Sequence, residues 1–210
     1  MNPEEKIIEI LNRLKKSYPE PKTALAFRTP FELLVATILS AQATDVLVNK
    51  VTEKLFRKYK KVDDYANTSL ETFQKDISSV NFYRNKAKNI QAAAKMIIEK
   101  FNGKVPKTME ELITLPGVAR KTANIILSNA YGIHEGIAVD THVKRLSQRL
   151  GLTKSNDPVK IENDLMLITP KDDWGNLSHL LIFHGRKICQ AKKPNHKECV
   201  LYDLCPSRNI

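Results

Sequence analysis

The chain has 210 residues, enough for one large domain or two small ones around a buried core. Hydrophobic content of 42% and charged content of 27% describe an ordinary soluble globular protein, and no run of 18 apolar residues or signal peptide appears, so a cytoplasmic protein is expected. The formal charge of +11 and pI near 9.5 favour a polyanionic partner, with nucleic acid the first candidate and a merely solvated basic surface the alternative.

In chain order, Ile7, Ile10, Leu11 and Leu14 predict a helix over 4–17 with a narrow buried face, ended by Tyr18 to Pro21. Thr29-Pro30-Phe31-Glu32 is a capping box with proline at the first helical position. Phe31, Leu34, Val35, Ile38 and Leu39 then follow the stripe of a core helix. That helix runs into Leu39-Ser40-Ala41-Gln42-Ala43-Thr44-Asp45, a small polar turn in which Thr44 or Asp45 caps a helix over 46–59. Lys58, Lys60 and Lys61 mark its solvated basic end, and Thr68-Ser69-Leu70-Glu71 reads as a second capping box. Val80 to Lys86 forms a loop before a helix over 87–101, with Ala87, Ile90, Ala94, Ile97 and Phe101 inward and Gly103 closing it. Phe82 taken alone reads as a core phenylalanine at a helix entry.

A third box, Thr108-Met109-Glu110-Glu111, opens a helix that runs into Leu115-Pro116-Gly117, a turn too tight for a bulky residue at the glycine. The next helix, 120–130, begins almost at once with Arg120 and Lys121 in its first turn, and Tyr131-Gly132 stops it. After an irregular return, helix 141–151 points Val143, Leu146 and Leu150 inward. Asp157-Pro158 caps another helix with Ile161, Leu165 and Ile168 inside, and helix 174–187 carries His179, His184 and Arg186. Strand signals are scarce and no repeat appears, so the expected class is all-α.

Three features carry chemistry. The amide groups that open helix 120–130, with the glycine turn before them, form an anion site suited to a phosphate. Lys121 lies at the wrong end of that helix dipole, which disfavours its charged form; an ordinary lysine has a pKa of about 10.4, so this is a route to an amine nucleophile. Asp140 before Thr141-His142 is a standard helix cap. The three cysteines all follow residue 188, which suggests a metal site in a reducing compartment rather than a disulfide framework.

The run Leu112 to Ala123, the turn Ala138-Val139-Asp140-Thr141-His142, and the tail Cys189-(six residues)-His196-(two)-Cys199-(five)-Cys205 together resemble the endonuclease III family. These are helix-hairpin-helix DNA glycosylases and abasic-site lyases, and the resemblance spans nearly the whole chain. It implies a two-lobed all-α fold. A helical barrel lobe, 23–133, carries the hairpin; residues 1–22 with 134–210 form the second lobe, which holds an iron–sulfur loop. Duplex DNA holding damaged pyrimidines or abasic sites would cross the cleft between the lobes, bound by a monomer, with Lys121 and Asp140 facing each other. The implied activity is excision of oxidised pyrimidines followed by strand nicking through β-elimination.

The resemblance also assigns residues. Lys121 is the nucleophile, and Asp140 stabilises the oxocarbenium-like sugar with one oxygen while the other caps its helix. Gln42 fills the void left by a flipped nucleotide. Phe82 stands where the family has a wedge residue, usually aliphatic, pushed into the opposite strand. Leu115, Gly117, Ala119, Arg120 and Thr122 of the hairpin, His142, and Lys192 and Lys193 of the tail contact DNA. The family usually has Gly-Val-Gly where this chain has Gly117-Val118-Ala119. Four cysteines hold its [4Fe–4S] cluster, whereas the second ligand position here is His196. Histidine ligates Rieske clusters, so Cys₃His ligation by Cys189, His196, Cys199 and Cys205 is allowed chemically. A Cys₃ cluster with another fourth ligand, zinc in a Cys₃His shell, and a lost site stay open. Two rival functions remain: a monofunctional adenine glycosylase, whose relatives lack a lysine at position 121, and a catalytically silent DNA-binding module.

Overall fold

The computed structural model describes residues 2–209, and every regular element among them is helical. The helices are α1 (Pro3–Ser17), α2 (Pro30–Ser40), α3 (Asp45–Lys58), α4 (Val62–Asn67), α5 (Leu70–Asp76) and α6 (Tyr83–Phe101). They continue with α7 (Met109–Leu112), α8 (Arg120–Ile126), α9 (Thr141–Arg149), α10 (Pro158–Ile168) and α11 (Trp174–Lys187). No helix among the described residues is long and apolar enough to cross a membrane. The chain forms two compact units: Thr23–Ile133, and the segment through Lys22 joined with that from His134 onward.

The Thr23–Ile133 unit is built around α2. Every residue from Leu33 to Leu39 is buried, as expected of a helix that is apolar on all sides. Its one buried hydroxyl is satisfied internally, Thr37 Oγ1 donating to Leu33 O at 2.7 Å. Helices α3, α6 and α8 pack on α2, and α4 and α5 pack on α6. Phe31, Tyr59, Tyr65 and Phe73 fill one end with mostly edge-on ring contacts, centroids 5.0 to 5.7 Å apart.

Two local expectations are corrected, and one helix appears that the sequence did not signal. Helix α4 has no signature of its own, because its six residues bury only Tyr65 and Ala66. The amide of Gln91 secures its end, donating to Tyr65 O at 3.2 Å and Thr68 O at 2.8 Å. Ser69, not Thr68, caps α5 and accepts from Thr72 N, while Thr68 ends α4. Helix α6 starts at Tyr83, four residues earlier than its apolar face suggests, because Phe82 makes the entry in a left-handed conformation.

The other unit buries the inward faces of α1, α9, α10 and α11 against one another, with Ile7, Ile10, Leu14, Val143, Leu146, Ile161, Leu165, Leu177 and Leu180 at its core. Gly185 lets α9 approach α11. A Cβ there would meet His142 Nδ1 at 2.9 Å and Arg145 Nη2 at 3.0 Å. The tail is fastened to this core by Leu201, 1% exposed, and by Arg13, whose guanidinium donates to Asp203 and to Val200 O.

Candidate active site

The hairpin is short and mostly backbone. Thr108 caps α7 by accepting from Glu111 N, and Leu112 and Leu115 anchor the following turn in the core. Gly117 is required twice over: its φ is +79°, and a Cβ would lie 2.9 Å from Asn89 Cβ. Ala119 then opens α8 with extended backbone and no side-chain cap, so it offers no acceptor to the amides of the first turn. Lys121 projects exposed from that turn, with Arg120 and Thr122 half-buried beside it. The Leu115 side chain is 2% exposed, so what it offers at the surface of the turn is backbone.

In the same unit, the turn after α2 carries Gln42, exposed and in left-handed backbone at φ 55°. Thr44 settles the cap of α3, accepting from Leu47 N. Phe82 has φ 59° and is 62% exposed, which overturns the reading as a core phenylalanine. Two residues that the sequence reading passed over hold these turns. Lys86 is 6% exposed and donates from Nζ to Leu39 O at 2.8 Å and Ala41 O at 2.6 Å; burial pushes its pKa down. Asn81 Nδ2 donates to Gln42 O at 3.1 Å. A signal for Lys86 was available, since it sits on the apolar stripe of α6 four residues before Ile90 and eleven before Ile97.

In the other unit, Asp140 caps α9, Oδ1 accepting from Val143 N at 2.8 Å, and Oδ2 has no hydrogen-bond partner among the described residues. His142 Nδ1 lies 3.1 Å from Arg145 Nη2. Burial, aided by Arg145 and Arg186 and opposed by Asp140, holds His142 below the usual imidazole range. Arg145 also donates to Gly185 O and Cys189 O, both at 3.0 Å.

Cys189, His196, Cys199 and Cys205 line one pocket. No three His, Cys, Asp or Glu side chains converge on a point among the described residues, as a single-ion shell requires. Burial pushes the Cys199 and Cys205 thiols up, and their sulfur neighbours add to it. Nitrogen atoms approach two of the sulfurs, while Cys205 Sγ donates to Arg149 O at 3.4 Å. Arg149 Nη1 donates to Cys189 Sγ at 3.3 Å, and His184 Nε2 lies 3.4 Å from Cys199 Sγ with Tyr18 Oη 3.2 Å from its Nδ1. Burial pulls the His184 pKa down to about 4. His196 Nδ1 meets Arg208 O at 2.5 Å. Lys192 and Lys193 are exposed on the loop between the first two of these residues.

A tight glycine turn leading into an uncapped helix start with an exposed lysine, on a chain whose regular elements are all helical among the described residues, fits a DNA-processing enzyme of the helix-hairpin-helix class. Residues 35–171 match the family described as HhH-GPD superfamily base excision DNA repair protein. The chain is 57% identical to endonuclease III of Synechocystis over 95% of its own length and 91% of the relative's. It is 50% identical to endonuclease III of Bacillus subtilis, over 93% and 89%. It superposes at a TM-score of 0.93 on a solved structure of a trapped endonuclease III–DNA covalent intermediate, at 46% identity, covering 99% of this chain and 98% of that one. The chain belongs to the endonuclease III family of the HhH-GPD superfamily. It is a bifunctional DNA N-glycosylase and abasic-site lyase, which sets aside the silent binding module and the monofunctional adenine glycosylase; its family generally carries a [4Fe–4S] cluster.

Proposed function

We propose that the protein excises oxidised pyrimidines from duplex DNA in the cytoplasm, as a monomer, with Lys121 as nucleophile and Asp140 acting on the same nucleotide. The observation that carries this is the exposed Lys121 amine in the first turn of α8, directly behind a glycine turn and with no side-chain cap. The neutral amine attacks C1′ of the sugar; the C1′–N bond to the damaged base breaks and the base leaves with a proton. Asp140 Oδ2 stabilises the cationic sugar as that bond lengthens, while Oδ1 keeps the helix cap. Ring opening passes a proton to O4′ and leaves a Schiff base between Lys121 and C1′. The imine acidifies the C2′ hydrogen, so its loss expels the 3′ phosphate and nicks the strand, and water then releases Lys121. The amides near Gly117 and Ala119, with Arg120, Thr122, His142, Lys192 and Lys193, hold the phosphate backbone. Gln42 and Phe82 enter the stack.

Borohydride should trap the native protein on DNA with an abasic site, because it reduces the imine to a stable amine. Lys121→Gln should abolish trapping and keep DNA binding. Undiminished trapping in that variant removes Lys121 as the nucleophile.

The donor set at residues 189–205 fits a cluster with Cys₃His ligation. The Arg208 carbonyl can only accept, so His196 Nδ1 donates to it and the lone pair falls on Nε2, the form a ligand needs. Bound there, a [4Fe–4S] cluster supplies a redox centre and ties the tail together; it enters no step of glycosidic cleavage. An imidazole in place of a thiolate leaves the site one unit less negative, hence easier to reduce. His196→Cys should therefore keep its iron and show a lower reduction potential than the native protein, while His196→Ala should lose iron and visible absorbance. Full iron in His196→Ala places the fourth ligand elsewhere.

A further inference from the structure

Gln42 and Phe82 are two of three non-glycine residues with positive φ among the described residues, the third being the helix cap Asn102. A residue with a Cβ adopts that conformation only when its surroundings hold it there, and such positions gather at functional sites. Here the restraints are visible, and each turn restrains the other. Lys86 lies in the first turn of α6, four residues after Phe82, and its ammonium takes two carbonyls from the C-terminal end of α2, Leu39 and Ala41. Asn81, one residue before Phe82, takes the carbonyl of Gln42 itself. Two side chains from residues 81–86 therefore secure, with three hydrogen bonds, three of the four backbone carbonyls from 39 to 42.

The choice of a lysine is informative. A helix can end on its own glycine, with no help from a distant segment. This one ends on a buried ammonium that no carboxylate pairs with among the described residues, so its charge rests on the two carbonyls and the negative end of α2. Burial works against that charge. Such an arrangement suits a joint between two loops better than a local cap, because it exists only when both loops are in place.

We infer that Lys86 and Asn81 are positioning residues that lock Gln42 and Phe82 into one preformed pair of probes, so that both enter the duplex together. This rests on the reading that Gln42 and Phe82 enter DNA. Loops ordered in advance take none of the binding free energy needed to unpair and unstack a base. Loss of the frame therefore affects extrusion of a paired base far more than reaction at an abasic site, where no base has to be drawn out.

The test compares single-turnover excision of a paired oxidised pyrimidine with β-elimination at a preformed abasic site, and follows 2-aminopurine fluorescence next to the lesion. Lys86→Met keeps the buried volume and removes the donors. It should slow excision on the order of ten- to a hundredfold, as a misplaced probe does, and blunt the fluorescence rise, with β-elimination within about twofold of native. Asn81→Ala, at an exposed position, should do the same on a smaller scale, about three- to tenfold, in line with loss of one hydrogen bond. Its effect should vanish in a Gln42→Ala/Phe82→Ala background, since the residues act as a unit. If Lys86→Met unfolds, Asn81→Ala decides alone. Equal slowing of both reactions, or an Asn81 effect that persists without Gln42 and Phe82, overturns the inference. If Gln42→Ala and Phe82→Ala leave excision and fluorescence at native levels, the reading of those two residues fails first, and the frame with it.

Discussion

The starts of α8 and α9 make an instructive pair, one in each unit. Helix α9 follows the ordinary rule: an aspartate at the cap accepts from the third residue's amide, and its charge suits the positive end of the helix. Helix α8 breaks it on both counts. Its cap is alanine, and its first turn holds Arg120 and Lys121 with no acidic residue. A lysine placed there gives up a fraction of a kcal/mol, roughly 0.3–1, against the dipole. The two starts differ in what they leave available: in the proposed mechanism the nucleophile Lys121 stands at a helix start with no side-chain cap, whereas Asp140 completes one with Oδ1 and would act with Oδ2.

The larger of two tests of this contrast is Asp140→Asn. Asparagine caps as well as aspartate, so the fold of α9 should persist. The negative charge is lost, and base excision should slow by a factor on the order of 10²–10⁴, as when a positioned acid–base or electrostatic group is removed. Melting temperature and single-turnover rate, measured together, check it. A variant that melts early would make Asp140 chiefly a cap and erase the contrast.

What could be read from the chain and what could not divide along the same physical line. Helix α2, the caps at Thr29, Asp140 and Asp157, and the Leu115-Pro116-Gly117 turn are local, written in residues a few positions apart, and each could be read in advance. So could the candidates Lys121 and Asp140, although their pairing rests on family resemblance rather than on spacing. The frame at Lys86 could not, because its carbonyl partners lie 45 and 47 residues away. Phe82 misled for a related reason. Nothing local forces a phenylalanine into left-handed backbone, so its exposure and the early start of α6 follow from tertiary restraint. Helix α4 is too short for an apolar face, and only its neighbours give it a reason to exist.

The smaller test completes the helix that the structure leaves open. Ala119 is exposed and has φ −96° and ψ 170°, the extended conformation a cap residue needs, so Ala119→Asp can be accommodated without backbone change. The new carboxylate would accept from the amides of Lys121 or Thr122 and meet the positive end of the dipole. Stability should rise by about 1 kcal/mol. The same carboxylate occupies the ground proposed for a DNA phosphate and repels it. Affinity for abasic-site DNA should fall about tenfold, and the slope of log K against log[salt] should flatten by about one unit, the change for one lost phosphate contact. Opposite signs are the point of the experiment: a general disturbance of the hairpin lowers both quantities. Thermal melts and salt-dependent binding titrations read the two separately. Unchanged binding would mean that the amides of α8 do not face a phosphate, and a loss of stability would mean that the open helix start is already filled from within the protein.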